Sequence, residues 1–410
     1  ENITIQDNET IDKLASNITV MSSAIEIYEN ELAASKDSIS AMNALGQWLI
    51  DQSEVEKAYY WSTALIEIHF KNGLESHILL IKADANGHHL QRGSGGGKSL
   101  MSFKSAAENK IEPIRNNKVL VLNPFQMEFY ESGYNKKSQL EKGKLPMEVT
   151  ILNDNQVTFG SLSTLSDYGF VILNTHGLPN GFFLTKIFNI PKSKNTDKWT
   201  REQVLAALKK QGNVPLEKFE NNELIFDILI VVEEYTLKEK TVVFEVTEKY
   251  IRNSSLDMRD AVIFANHCYS GFTGTGPVSN NLSEAWASRG VSTYYGYAIK
   301  NRLSTITLND FASRMEDSLI ANLIGNGDTT GVAHLSNDVT EQFDDRTYPE
   351  KIEYIRLPVN RGISYTPIPS TSEDINFYFT QFFETNYAYH NCGDTITDSR
   401  DGQKYATVCI

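Results

Sequence analysis

Two apolar runs in this chain end in side chains capable of nucleophilic chemistry. Val171-Ile172-Leu173-Asn174-Thr175 runs into His176, and Ala261-Val262-Ile263-Phe264-Ala265-Asn266-His267 runs into Cys268. A thiol with its ordinary pKa of about 8.5 is mostly protonated at neutral pH, so a cysteine nucleophile benefits from a neighbouring base. An imidazole, which ordinarily titrates at about 6.5, can take the thiol proton and return one to a leaving amine. Gly177 follows the histidine and lets the backbone approach a substrate carbonyl closely. Its N–H, with that of Cys268, would form an oxyanion hole, in which one donor is worth about 3 kcal/mol to a transition state. His267 competes as the base, but adjacent strand residues point to opposite faces, which favours His176. Alone, a cysteine at a strand end is usually a small buried apolar group, and a lone histidine is usually structural. The pair, each at a strand end in polar, small sequence, carries the chemistry. The glycine-rich stretch Tyr269-Ser270-Gly271-Phe272-Thr273-Gly274-Thr275-Gly276 suits substrate access, and Asn266, Ser270, Tyr294 and Tyr295 are candidates for substrate contact.

Only the fold can bring His176 and Cys268 together. Short apolar runs at 118–123, 147–152, 169–174, 261–265 and 291–299 read as strands; helical patterns stand at 162–168, 281–289 and 308–324. Such alternation predicts an α/β fold, a mostly parallel sheet sandwiched by helices, with sites beyond the carboxyl ends of the strands. Upstream, 10–60 reads as helical, with apolar positions at Ala41, Leu45, Trp48 and Leu49. Ile66, Ile68 and Phe70 then alternate toward Asn72-Gly73 and the returning run Ile78-Leu79-Leu80-Ile81, a β-hairpin. The expected organisation is a small N-terminal helical and β-hairpin domain at 1–83, a flexible linker at 84–110 and the α/β domain at 111–365. An insertion at about 180–258 holds a polar loop at 186–198, a helix at 201–210 and β-like runs at 224–235 and 241–246. A connecting tail at 366–390 and a C-terminal segment at 391–410 complete the chain.

The formal net charge of −14 argues against a nucleic-acid partner, whose phosphates would be repelled. No apolar run is long enough to span a membrane. The run Gly93-Ser94-Gly95-Gly96-Gly97-Lys98-Ser99 imitates a phosphate-binding loop, but Arg92 occupies the position that needs its first glycine, so it reads as linker. In that exposed linker, Arg92 and Lys98 mark sites a protease could cut. The three cysteines make no disulfide framework, although Cys392 and Cys409 would be able to pair in an exported protein. The chain opens on Glu1 with no signal-peptide pattern, which reads as a trimmed or processed start.

The segment from Val171 to Gly177 resembles the His-Gly strand end of the caspase-fold cysteine peptidases, which include clostripain, gingipains, legumain and caspases. AVIFANHCYSG at 261–271 resembles their second block, an apolar strand running into Ala-x-x-Cys and Ser-Gly. Trp286-Ala287, Arg289-Gly290-Val291, Gly296 and Asp310-Phe311 extend the resemblance, which covers about 115–340. It implies a caspase-like core and a cysteine endopeptidase with a Cys268–His176 dyad and Gly177 in the oxyanion hole. It implies a protein or peptide substrate and needs no cofactor or metal. Clostripain-type enzymes place an Asp two residues before the cysteine to bind a basic P1 side chain; here Asn266 lacks that charge, so Arg/Lys specificity does not carry over. Asp167 and Asp260 are the acidic alternatives. The alternatives in function are a catalytically inactive caspase-like binding or surface protein and a transpeptidase using the same dyad.

A second resemblance lies at 393–405 (GDTITDSRDGQKY), which is similar to the opening of the Fibrobacter succinogenes major paralogous domain, a module of bacterial surface and secreted proteins. It implies a further C-terminal domain and a secreted or cell-surface bacterial protein. The same residues also read as a polar, turn-rich tail around Asp401-Gly402.

Overall fold

The computed structural model describes residues 5–62, 64–83, 112–125, 137–142, 147–190, 199–212, 214–233, 235–267, 270, 282–298, 320–326, 353–358, 378–379, 395–397 and 404–406. The expected linker at 84–110, most of the 308–324 helix, and both Cys392 and Cys409 lie outside them.

The chain starts with a long helix, α1 (Ile5–Ser35), and a shorter one, α2 (Ser38–Ile50). Ile11, Leu14, Ile18, Met21, Ile25, Tyr28 and Leu32 recur at three-to-four spacing along α1 and are all buried, as are Ala41, Met42, Leu45 and Leu49 of α2. Asp37 separates the two helices. Its carboxylate accepts from the N–H groups of Ile39 (3.0 Å) and Ser40 (3.2 Å), satisfying donors at the start of α2 that have no partner within the helix. Asp37→Ala is expected to cost about 1 kcal/mol of stability, readable as a lower urea midpoint with an unchanged slope.

The helical reading of 10–60 ends too late. Residues Val55–Ser62 form strand β1, which runs antiparallel to β2 (Leu65–Phe70). Its Tyr59 and Tyr60 are exposed, so β1 has no continuous apolar stripe of the kind a buried helix shows. The hairpin between β2 and β3 (Glu75–Ala83) forms as expected. Gly73 takes a φ of 88° at the turn, and Asn72 Oδ1 accepts the Leu74 N–H at 3.1 Å.

Further strands are β4 (Glu112–Pro113), β5 (Lys118–Asn123), β6 (Glu148–Asn153), β7 (Phe170–Asn174), β8 (Gly177–Leu178) and β9 (Gly181–Asn189). They continue with β10 (Leu224–Glu233), β11 (Thr236–Thr247), β12 (Val262–Asn266), β13 (Thr293–Ala298) and β14 (Glu353–Pro358). Last come β15 (Tyr378–Phe379), β16 (Thr395–Thr397) and β17 (Lys404–Ala406); β15 pairs with β4, and β16 with β17. The expected helix at 201–210 runs over Arg201–Lys210. Thr200 caps it by accepting the Gln203 N–H at 3.3 Å, and the Gln203 side chain answers to the Thr200 N–H at 2.9 Å.

Two sheets organise these strands. A six-stranded sheet has the order β14-β13-β12-β7-β5-β6, parallel throughout except for the antiparallel edge strand β14. The chain is therefore α/β with a mostly parallel sheet. Every residue of β7 and β12 is buried, as both faces of such a sheet require cover. A mixed seven-stranded sheet has the order β1-β2-β3-β10-β11-β9-β8. Its β3 comes from the stretch read as a separate N-terminal domain, and its β9, β10 and β11 come from the stretch read as an insertion. The parallel pairing of β3 with β10 joins them, with Ile78 opposite Ile228 and Ile81 opposite Val231. The physical reason lies in β10, where eight of the ten residues are buried and both edges need a partner strand. One face of this sheet is covered by α1, and Phe226, Ile228, Val242, Phe244 and Val246 enter one core with α1, α2 and the face of the six-stranded sheet that carries Val171, Leu173, Ile263 and Ala265.

Candidate active site

β7 and β12 are neighbours in the six-stranded sheet and run parallel, so their carboxyl ends lie side by side. Phe264 stands opposite Ile172, and Asn266 opposite Asn174. The ladder continues past the strand ends, where the Thr175 N–H donates to Asn266 O at 3.3 Å. Asn266 Nδ2 donates to Asn174 Oδ1 at 2.7 Å, locking the two termini together through a fully buried bond. One place further along the sheet, Asn123 Nδ2 donates to Asn153 Oδ1 at 3.3 Å across β5 and β6. Four parallel strands therefore end in asparagine at one edge, a row of amides that the apolar strands below them do not need for packing.

His176 lies immediately beyond this row. It is 3% exposed, and its ring meets Phe125 edge-on at 4.9 Å between centroids. Its carbonyl accepts the Phe183 N–H at 2.9 Å, tying it to β9, and Gly177 pairs with Phe182 in the short strand β8. The adjacent Thr175 is held by its hydroxyl on the Phe183 carbonyl. The backbone on both sides of His176 is thus fixed by the seven-stranded sheet, while the strand leading into it belongs to the six-stranded one.

His267, the competing base, is equally buried, but its ring lies against Phe182 at 5.6 Å. Phe182 belongs to the central core, whereas Phe125, the neighbour of His176, belongs to a separate apolar group with Leu178 and Phe183. The two imidazoles therefore meet different surroundings. Cys268, the expected nucleophile and second oxyanion donor, and Tyr269 lie outside the described residues. On either side of them the chain is tightly held: the Ser270 N–H donates to His267 O at 3.3 Å, and the Tyr294 hydroxyl donates to Ser270 O at 2.9 Å.

The four candidates for substrate contact are buried instead. Asn266 and Ser270 are 1% exposed, and Tyr294 and Tyr295 are 0% exposed. Tyr294 is consumed by the Ser270 carbonyl, and Tyr295 packs edge-on against Phe264. They pack into the end of the sheet. Burial raises the Tyr294 phenol well above its usual range, so it serves as a neutral donor. Of the acidic alternatives, Asp260 is in the turn before β12, at a φ of 61°, and Asp167 is at the amino end of β7. Both stand at the end of the sheet opposite His176, so neither reaches a P1 pocket there.

Among the described residues, the side chains that come close enough to hold a metal ion are elsewhere: His77, Asp227 and Glu245, on the seven-stranded sheet. No helix among the described residues is long and apolar enough to cross a membrane. No family model matches the chain, and no curated protein matches it either.

Proposed function

We propose that the chain is a cysteine endopeptidase with a caspase-like core, in which Cys268 is the nucleophile and His176 its base. The observation that carries this reading is the parallel register of β7 and β12. The two strands end together at the Asn174–Asn266 pair, so both segments leave the sheet side by side, with His176 and Cys268 each two residues further on in the sequence. The carboxyl edge of an open α/β sheet is also where such folds place their chemistry.

In this mechanism His176 takes the proton from the Cys268 thiol, and the thiolate attacks the scissile carbonyl carbon. Backbone N–H groups at Gly177 and Cys268 receive the oxyanion. Collapse expels the amine, which leaves with the proton held by His176, and water then cleaves the thioester to release the acid and restore the thiol.

The burial of His176 favours a second reading, an inactive binding protein whose site is closed. Peptide-library digestion by the chain and by Cys268→Ala, with thiol labelling by a peptidyl electrophile in parallel, separates the two. The peptidase reading expects cleavage and labelling in the parent and neither in the variant. Undiminished cleavage by Cys268→Ala removes Cys268 from the mechanism, and an intact, unlabelled, inactive parent favours the binding protein.

A further inference from the structure

On the face of the seven-stranded sheet turned away from α1, three ionisable side chains meet in an apolar setting. His77 of β3 is 4% exposed, and Asp227 of β10 and Glu245 of β11 are 0% exposed. His77 Nδ1 lies 3.2 Å from Asp227 Oδ1 and 3.0 Å from Glu245 Oε2. All three ligand atoms lie within 4.8 Å of one another. Around them on the same face stand Leu79, Leu229, Val243 and Phe183.

A proton on Nδ1 does not answer the whole cluster. Nδ1 carries at most one hydrogen for two carboxylates, and the His77 main-chain N–H donates to the Asp227 Oδ1 that already faces the ring. Asp227 Oδ2 and Glu245 Oε1 are buried with no hydrogen-bond partner. A buried carboxylate oxygen without a donor costs stability unless a cation answers it. Lys186, opposite Val243 on the neighbouring strand, is engaged with Glu239 at 3.3 Å and with the ring of Phe125 at 5.3 Å. Lys240 alternates to the other face of β11 and pairs with Glu29 at 3.8 Å. Gly181 opens the space the Glu245 carboxylate occupies, since a Cβ there would come within 2.3 Å of Oε1.

We propose that His77, Asp227 and Glu245 form a structural binding site for a divalent cation of the zinc class. A cation about 2.0–2.2 Å from each ligand in tetrahedral geometry separates ligand atoms by about 3.3–3.6 Å, and the separations of 3.2 and 3.0 Å from Nδ1 need open by only a few tenths of an ångström to admit it. One imidazole nitrogen with two carboxylates suits zinc or a similar transition ion. Calcium would want six or more oxygens. The ion answers the carboxylate oxygens that have no donor and ties β3 to the β10–β11 hairpin, which lies far from it along the chain. Leu178 and Phe183 of that face, with Phe125, border His176, so the ion braces the floor of the candidate active site without taking part in its chemistry. The assignment does not rest on the peptidase reading.

The chemistry of ligation gives the test its sign. Zinc needs deprotonated ligands, so its stabilisation grows as pH rises. The full chain, stripped with a chelator and titrated with Zn2+ alone, is expected to bind one equivalent and to melt at a higher temperature, with a larger gain at pH 8 than at pH 6. Asp227→Asn and Glu245→Gln are each expected to weaken binding about 100-fold or more, and Cys268→Ala to leave it unchanged. The proposal is overturned by no zinc-dependent change in melting of the parent chain, a readout that stands even where a variant fails to fold. It is equally overturned by a zinc gain that shrinks with rising pH, or by binding that survives both carboxylate variants or depends on Cys268.

Discussion

Replacing His176 by alanine is expected to lower kcat/KM for peptide cleavage about 10³-fold, the loss that follows when a positioned general base is removed. The same variant should lose the pH dependence that an imidazole confers on alkylation of Cys268, because the thiolate would then form only as the thiol titrates on its own. His267→Ala gives the contrast. That ring lies against Phe182 in the central core, so its loss should lower the melting temperature and leave the shape of the pH profile intact. Both variants delete a buried imidazole, and a general packing defect would therefore affect both alike. A pH profile that changes in His267→Ala and persists in His176→Ala would transfer the base to the residue next to the cysteine. The backbone ties around His176, from Phe183 to its carbonyl and from Thr175 to Asn266, do not involve its side chain and should hold the loop in place in the variant.

The parallel sheet was legible because its strands are buried on both faces. Val119-Leu120-Val121-Leu122, Phe170-Val171-Ile172-Leu173 and Val262-Ile263-Phe264-Ala265 are unbroken apolar runs with reactive or polar residues after them, a pattern few other structures produce. The helix at Arg201–Lys210 was legible from its apolar spacing and is fixed by its capping pair Thr200 and Gln203. The seven-stranded sheet was not legible as a unit. Nothing local in Ile78-Leu79-Leu80-Ile81 says that it will pair with Ile228–Val231, which lies far along the chain. Strand β9 was missed because Thr185 and Lys186 interrupt its apolar run, and the polar loop expected from residue 186 begins in fact as strand through Asn189. The cation cluster did leave a trace. Asp227 sits within Leu224-Ile225-Phe226-Asp227-Ile228-Leu229, and Glu245 within Val242-Val243-Phe244-Glu245-Val246, single carboxylates in runs too apolar to expose them. Their convergence on His77 needed the strand order, which the sequence does not display. Tyrosine and serine at the end of a strand serve equally for closing a sheet and for meeting a ligand, and Tyr294 is engaged by the Ser270 carbonyl.

Phe244→Ala is expected to lower the unfolding free energy by about 3–5 kcal/mol, the range for truncating a large buried aromatic side chain. Phe244 of β11 is fully buried, with ring centroids 5.6 Å from Phe226, 5.7 Å from Phe219 and 6.2 Å from Phe159. Phe226 belongs to the neighbouring strand β10, Phe219 to the short helix Glu217–Glu220, and Phe159 to the helix that follows β6 of the other sheet. Removing this ring opens a cavity where the two sheets meet, lined by groups that rigid strands hold apart and that cannot collapse into it. A loss of this size is a large part of the about 5–15 kcal/mol that holds typical domains folded. It should also reach the candidate site, because Phe244 pairs with Thr185 of β9, two residues from the Phe183 whose N–H holds the His176 carbonyl. Urea unfolding followed by tryptophan fluorescence, with Cys268 labelling measured on the same samples, reads both effects. A loss below about 1 kcal/mol, or one that leaves labelling unchanged while the sheet loosens, would mean that the two sheets are not joined through this ring and that His176 is positioned by the six-stranded sheet alone.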